Sequence, residues 1–342
     1  MKIPEPRKLK SGNYFIQLRL NGVSVPVTAP TAKDCKIQAE LIKAEYRSGK
    51  RSIHNKADSL TLSEVMRLYI DSRKKVLSPS TIKSYTSVMK HRFTAYQDKP
   101  VLTITDWQSV INDEVSDGVS AKTIKNAWSL VAASLDRAGY PVPSVKLPQI
   151  VPSSRPWLTA EQIETFVDAV KGKPCEVPAL LALHSLRRSE ILGLTWDKID
   201  LKKNLIYIDG SAVINTDNQL VYRKANKTKN SHRTIPIMIP SLHTALSKTP
   251  LEKRTGRVVT TCPSHLYDQI NAICRKNGLP MVGIHGLRHS FASLAYHVGM
   301  SERAAMLIGG WEDIQTMHKI YTHISNADIL TAENLMTQFY KR

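Results

Sequence analysis

Pro141, Pro143, Pro148, Pro152 and Pro156 crowd into Tyr140–Trp157, and no other feature constrains the fold as strongly. Proline lacks the N–H that a helix needs, clashes with the preceding turn and biases its predecessor towards extended backbone. The stretch is therefore expected to be a helix-free, semi-rigid strap. It cuts the 342-residue chain in two, and domains of about 100–200 residues leave room for two or three. The expected boundaries are a small head over 1–56, a helical domain over 57–140, a linker over 141–157 and a larger domain over 158–342. The expected class is multi-domain α+β: a three-stranded sheet with one helix, then an all-α domain, then a mostly α domain with a small sheet.

Within the head, Ser11-Gly12-Asn13 is a turn signal between Lys8-Leu-Lys10 and Tyr14–Leu20. Asn21-Gly22 marks a tight hairpin, because both residues accept positive φ. Val23–Thr28 returns, with Pro26 indicating an edge strand. Thr31 caps a helix expected to turn Ile37, Leu41 and Ala44 inward. The helical domain opens on a capping box, Thr61-Leu-Ser-Glu64, with Val65, Leu68 and Tyr69 expected on one face. Ser78-Pro79 starts a second helix through Ile82, Tyr85 and Met89. A third follows Asp106. The fourth, capped by Ser120, carries an inward stripe of Ile124, Ala127, Trp128, Val131 and Leu135.

Charge narrows the partner. Lysine and arginine total 48 against 29 acidic residues, a formal net charge of +19. An excess of that size points to a polyanion, with nucleic acid ahead of a membrane surface. Candidate contacts are Lys8, Lys10 and Arg19 on the head, Lys83, Lys122 and Lys125 on the helical domain, and Lys224 and Lys229 beyond the strap. A strap joining two such domains would let them close around a rod such as duplex DNA. No apolar run approaches the roughly 18 residues of a spanning helix, and the basic N-terminus lacks a signal-peptide core, so a cytoplasmic location is expected. Cys35, Cys175, Cys262 and Cys274 show no CxxC pairing and are expected as free thiols. Cys262 and His265 have ligand-like spacing without a second pair, so no metal is expected.

After the strap, Thr159-Ala-Glu-Gln162 is a second capping box. The run from Leu180 to Trp196 is apolar with an abrupt charged cluster, Arg187-Arg188-Ser-Glu190. It is expected as a helix burying Leu183, Leu186, Ile191 and Leu194, with Glu190 pairing to Arg187 at i+3. Strands follow over 204–209, 219–222 and 233–237, with Lys224–Ser231 as a basic hairpin tip. A helix over 266–276 precedes His285-Gly-Leu-Arg288-His289, which begins another. Gly309-Gly310 permits a tight turn that aims Trp311, and Tyr321 comes ten residues later. The amphipathic tail 328–339 is expected either to pack on its own domain or to dock on a neighbouring subunit. Arginine offers a fork of donors that fits two phosphate oxygens, histidine moves protons near neutrality, and tyrosine can attack phosphorus.

These residues resemble the tyrosine recombinase (phage-type integrase) family. The resemblance rests on Arg187-Arg-Ser-Glu190 with Leu-Thr-Trp196, Lys227-Thr-Lys with Arg-Thr-Ile-Pro, His285-x-Leu-Arg288-His289, Gly-Trp311 and Ile-Tyr321-Thr-His. It covers roughly the last half of the chain; the helical middle looks like the family's core-binding domain, and the head like its arm-type DNA-binding domain. The sequence departs from many members at Trp311, where they carry histidine, and in the Arg187-Arg188 doublet, of which Arg187 matches by lying three residues before Glu190. What the resemblance implies is a site-specific DNA recombinase. Tyr321 would attack the scissile phosphate and form a 3′-phosphotyrosyl link, releasing a 5′-hydroxyl. Arg187 and Arg288 would hold the non-bridging oxygens, Lys227 would protonate the leaving oxygen, and Trp311 would donate to the phosphate. His285 would accept the tyrosine proton or bind the phosphate, with Glu190 and His289 in support. The covalent ester keeps the bond energy, so neither metal nor nucleotide cofactor is implied. Implied partners are double-stranded attachment sites, a homotetramer on DNA, and an accessory bending protein or excision factor; a head for distal arm sites fits integration and excision of a mobile element.

Other readings weighed against this are a type IB topoisomerase sharing the tyrosine chemistry, a zinc hydrolase using His285 and His289, and a DNA-binding repressor with a dead site. The basic head disfavours the first, and the missing HExxH glutamate disfavours the second.

Overall fold

The computed structural model describes residues 3–20, 23–47, 59–151, 156–223, 232–313 and 315, together with Glu333, Met336, Thr337, Tyr340 and Lys341. The chain divides into two compact units, Met1–Pro152 and Ser153–Arg342.

In the first unit, β1 (Arg7–Lys8), β2 (Tyr14–Leu20) and β3 (Val23–Ala29) form an antiparallel sheet in that order. Period-two alternation sets its faces: Ile16, Leu18 and Leu20 are buried, while Gln17 and Arg19 are exposed. Pro26 sits opposite Gln17 on the edge strand, where a missing N–H costs no ladder bond. Helix α1 (Ala32–Arg47) covers the inner face, but not with the side chains that its sequence suggested. Cys35 and Ala39 are buried, whereas Ile37 is 45% and Leu41 58% exposed. The cause is close approach. The Cys35 thiol lies 3.4 Å from the carbonyls of Tyr14 and Val27, and only small side chains fit a helix that near a sheet.

Four further helices follow: α2 (Leu62–Arg73), α3 (Pro79–His91), α4 (Trp107–Ser116) and α5 (Ala121–Arg137). Thr61, Ser78, Asp106 and Ser120 cap them, each accepting from a backbone N–H of the first turn, and Glu64 closes the box at Thr61. Their core joins Val65, Met66, Ile111, Ile124, Trp128 and Val131, with Trp107 and Trp128 edge-on at 5.7 Å. Leu68, expected inward, is 52% exposed, because Met66 and Ile70 take the inner face beside Val65. Residues 141–151 contain neither helix nor strand. They are not loose: Val145 and Leu147 pack on the helical core, and Gln108 exchanges two hydrogen bonds with the Lys146 backbone at 2.8 and 3.1 Å.

In the second unit, α6 (Ala160–Val170) begins at the Thr159–Gln162 capping box. Next come α7 (Glu176–Leu183) and α8 (Arg188–Gly193), then strands β4 (Ile199–Asp200), β5 (Leu205–Ile208), β6 (Ser211–Ile214), β7 (Leu220–Arg223) and β8 (Arg233–Pro236). Helices α9 (Pro240–Ser247), α10 (Pro263–Lys276), α11 (Gly283–His297) and α12 (Glu302–Gly309) complete it. The core is built around α7, whose residues Ala179–Leu183 are all buried. The strands differ from expectation in number and in pairing, β4 being an addition. β5 lies between β4 and β8, while β7 pairs with β6, a strand the sequence had not suggested. β7 and β8 therefore belong to different sheets, and residues 224–231, expected as a basic hairpin tip, lie outside the described residues.

Candidate active site

Expected as one helix, residues 180–194 instead break where the charged cluster begins. α7 ends at Leu183, Ser185 takes a left-handed φ of 91°, and Arg187 is extended as the residue before α8. A serine in that region is strained, and such strain persists where surrounding contacts over-determine it. Here the Ser185 hydroxyl donates to the Ile308 carbonyl at 3.1 Å, and its own carbonyl accepts from Arg288 Nη1.

The break delivers Arg187 to Glu190 at the spacing expected. Glu190 Oε2 accepts from the Arg187 backbone N–H and Oε1 from Arg187 Nη1, both at 2.8 Å. A second arginine shares that carboxylate. Arg233, at the start of β8, donates through Nη1 and Nη2 to the two Glu190 oxygens at 3.0 and 2.9 Å. Burial works to raise the Glu190 carboxyl, but the Arg233 hydrogen bonds and charge, with help from Arg187, hold it below the usual carboxylate range.

The third wall is the C-terminal end of α12. Ser301 caps the start of this helix and Gly310 ends it with φ +63°, where a Cβ would be strained. Gly309 has a different reason: a Cβ there would fall 2.0 Å from the Trp311 ring. The last carbonyls of a helix have no intrahelical donor and carry its partial negative charge. Three consecutive ones here each receive a different arginine. Arg233 Nε donates to Ile308 at 2.8 Å, Arg288 Nη2 to Gly309 at 2.7 Å, and Arg187 Nη2 to Gly310. Trp311 completes the group, stacked on Phe291, with the Arg288 guanidinium 4.5 Å from its ring centroid.

Three guanidinium groups thus gather around one carboxylate, which Arg187 and Arg233 bind directly while Arg288 is held by carbonyls, and the imbalance registers on Arg288, the most buried of them. Burial and the nearby Arg187 charge push Arg288 down to about 9, which still leaves it protonated at neutral pH. One turn earlier on α11, His285 is exposed and His289 half-buried, their rings edge-on at 4.6 Å. Arg188 is exposed while Arg187 joins the cluster. His184, fully buried beside the break, accepts from the Met238 N–H at 2.9 Å, and burial pushes it down to about 4.

Of the residues expected to act, the fold brings together Arg187, Glu190, Arg288 and Trp311, with His285 and His289 on the same helix as Arg288. Lys227, Tyr321, Lys224 and Lys229 lie outside the described residues. Lys8, Lys10, Arg19, Lys122 and Lys125 are exposed and Lys83 is half-buried. Arg233, Ser185 and His184 were not anticipated. A signal for Arg233 existed: it alternates with buried Ile235 on β8, so an arginine falls on the inward register of a strand.

The phage integrase family model matches residues 156–328, half of the chain. The chain belongs to the phage integrase family. As a member it is a site-specific recombinase of the tyrosine type. It is 26% identical over 338 aligned residues to a XerC-like tyrosine recombinase of Caldanaerobacter subterraneus subsp. tengcongensis, an alignment covering 84% of this chain and 86% of that protein. Among solved structures it resembles the Tn1549 transposon integrase in complex with circular intermediate DNA, with a TM-score of 0.64, 19% identity, and 81% of this chain and 100% of that one covered. A lambda integrase tetramer bound to a Holliday junction matches with a TM-score of 0.57 and 15% identity over 94% of this chain and 96% of that one. At such identities these two likenesses establish the integrase fold, and with it the mixed helical and small-sheet class.

Proposed function

We propose that this integrase cuts and rejoins double-stranded attachment sites to integrate and excise a mobile element, with Tyr321 as nucleophile. One observation carries the reading: Arg187, Arg233 and Arg288 converge on one helix end, with a single carboxylate shared by the first two, which leaves an excess of fixed positive charge. Such a site is complementary to a phosphodiester whose non-bridging oxygens gain charge as phosphorus is attacked. Arg187 and Arg288 hold those oxygens and Trp311 lies beside them. His285, exposed one turn before Arg288, accepts the phenol proton or binds the phosphate. Tyr321 then carries the 3′ end as a phosphotyrosyl ester while Lys227 protonates the departing 5′ oxygen. The ester conserves the energy of the broken bond, so rejoining draws on no nucleotide cofactor.

The exposed Lys8, Lys10, Arg19, Lys122 and Lys125, with Lys83, Lys224 and Lys229, supply phosphate contacts along the duplex. In this reading residues 1–56 engage distal arm sites and 57–140 the core site, with 141–157 as the linker. Four protomers exchange strands on two duplexes, assisted by a bending protein or excision factor, in the cytoplasm; no described helix is long and apolar enough to cross a membrane. A nicked duplex carrying the site that footprinting locates beside the gene tests the chemistry. Tyr321→Phe is expected to bind it as wild type does yet form no denaturant-stable adduct. Adducts that persist in this variant would move the nucleophile elsewhere, and supercoil relaxation without recombination of paired sites would favour a topoisomerase.

A further inference from the structure

Arg233 differs from Arg187 and Arg288 in holding both oxygens of Glu190 with its guanidinium. Its side chain is 7% exposed. Its Nε, Nη1 and Nη2 are all engaged inside the protein, on Ile308 O, Glu190 Oε1 and Glu190 Oε2. Those acceptors also belong to the arginines of the site. Glu190 Oε1 is shared with Arg187 Nη1, and Oε2 with the Arg187 N–H. Ile308 O is shared with Ser185, whose carbonyl takes Arg288, and it directly precedes the carbonyls that take Arg288 and Arg187.

We infer that Arg233 is a positioning residue for strand cleavage: it fixes the Glu190 carboxylate against the end of α12 and so sets the plane in which Arg187 meets the scissile phosphate. The inference rests on the proposed phosphoryl-transfer reading and assigns a role within it. Geometry gives the reason. A carboxylate held by Arg187 alone can swing about its own side-chain torsions and carry the guanidinium with it. A bidentate partner on a β-strand removes that freedom, because the planar fork matches both oxygens at once. Lysine at 233 would keep the charge but satisfy one oxygen. A small misplacement of a charge-stabilising donor is enough to cost about 100-fold in rate.

The test compares full-length wild type, Arg233→Gln and Arg233→Lys on the same nicked duplex, with thermal melting to establish folding. Arg233→Gln is expected to bind DNA within about two-fold of wild type and to form the covalent adduct about 100-fold more slowly, with Arg233→Lys between the two. Two readouts separate positioning from general loosening. On a substrate with a neutral methylphosphonate at the scissile position, less charge needs stabilising, so the gap between wild type and Arg233→Gln should narrow. In addition, Arg187→Ala with Arg233→Gln should be no slower than Arg187→Ala alone, because residues acting through one another are not additive. Wild-type adduct rates in Arg233→Gln overturn the inference. So do losses that multiply in the double variant, or a DNA affinity that falls in step with rate. If Arg233→Gln does not fold, Arg233→Lys decides by the same criteria. Failure of the wild type itself to form an adduct would count against the phosphotyrosyl reading instead.

Discussion

The helical bundle of the first unit and the arginine cluster of the second treat charge in opposite ways. In the bundle, apolar side chains fill the core and lysines such as Lys122 and Lys125 stand in solvent on α5. The described exception is Glu114, buried and paired with Arg92 at 3.0 Å. In the cluster, the guanidinium groups of Arg233 and Arg288 go inside with Arg187 half-buried beside them, held by Glu190 and three helix-end carbonyls. An exposed charge keeps its water, costs the fold little and acts on a polyanion through many weak, replaceable contacts. A buried one has lost its water, so it needs defined partners, and that same definition fixes its direction. Diffuse affinity and aimed chemistry therefore come from the same residue types at different depths.

The comparison is most exposed to removal of the shared anion. Glu190→Ala leaves Arg187 and Arg233 without their carboxylate, and a loss of about 3–5 kcal/mol in the stability of the second unit is expected, measured by denaturant unfolding. A loss below about 1 kcal/mol would mean that the helix-end carbonyls suffice.

Acid should separate the two units next. His184 titrates near 6.5 when unfolded and about 4 when folded, so between those values the unfolded chain binds more protons. Its contribution is present above pH 6.5 and is lost as pH falls towards 4, by about 3 kcal/mol in all, since each pH unit is worth about 1.4 kcal/mol. Glu190, held below its usual range, adds a further loss below that window as it protonates. Hydrogen exchange of the full chain at pH 7 and 4.5 should show the second unit loosening first, and His184→Gln should abolish the part lost above pH 4. Equal loosening of both units would remove the contrast.

The smallest effect on stability is expected at the surface. Lys122→Ala with Lys125→Ala should leave folding within about 0.5 kcal/mol of wild type. It should nevertheless reduce the slope of log affinity against log salt by about 2, one per phosphate contact. An unchanged slope would mean that α5 does not touch the backbone of the duplex.

How much of this was readable beforehand follows from range along the chain. Thr61, Ser78, Asp106, Ser120 and Thr159 announced their helices because a cap satisfies donors only three residues away. The alternation of Tyr14–Leu20 and the edge position of Pro26 were likewise local matters of pleat and missing N–H. Arg187 with Glu190 was within reach for the same reason, being three residues apart. Which face of α1 is buried was not: Cys35 and Ala39 displace Ile37 and Leu41 because the sheet lies too close for larger side chains. Nor was the break after Leu183, which exists because Ser185 must reach both Ile308 and Arg288, more than 100 residues away. Sequence alone determined where elements begin and which residue types the chemistry requires. Tertiary structure decided which arginines share one carboxylate and one helix end, because desolvated charges take whatever partners the fold brings within hydrogen-bond reach, and that depends on packing between segments far apart in the chain.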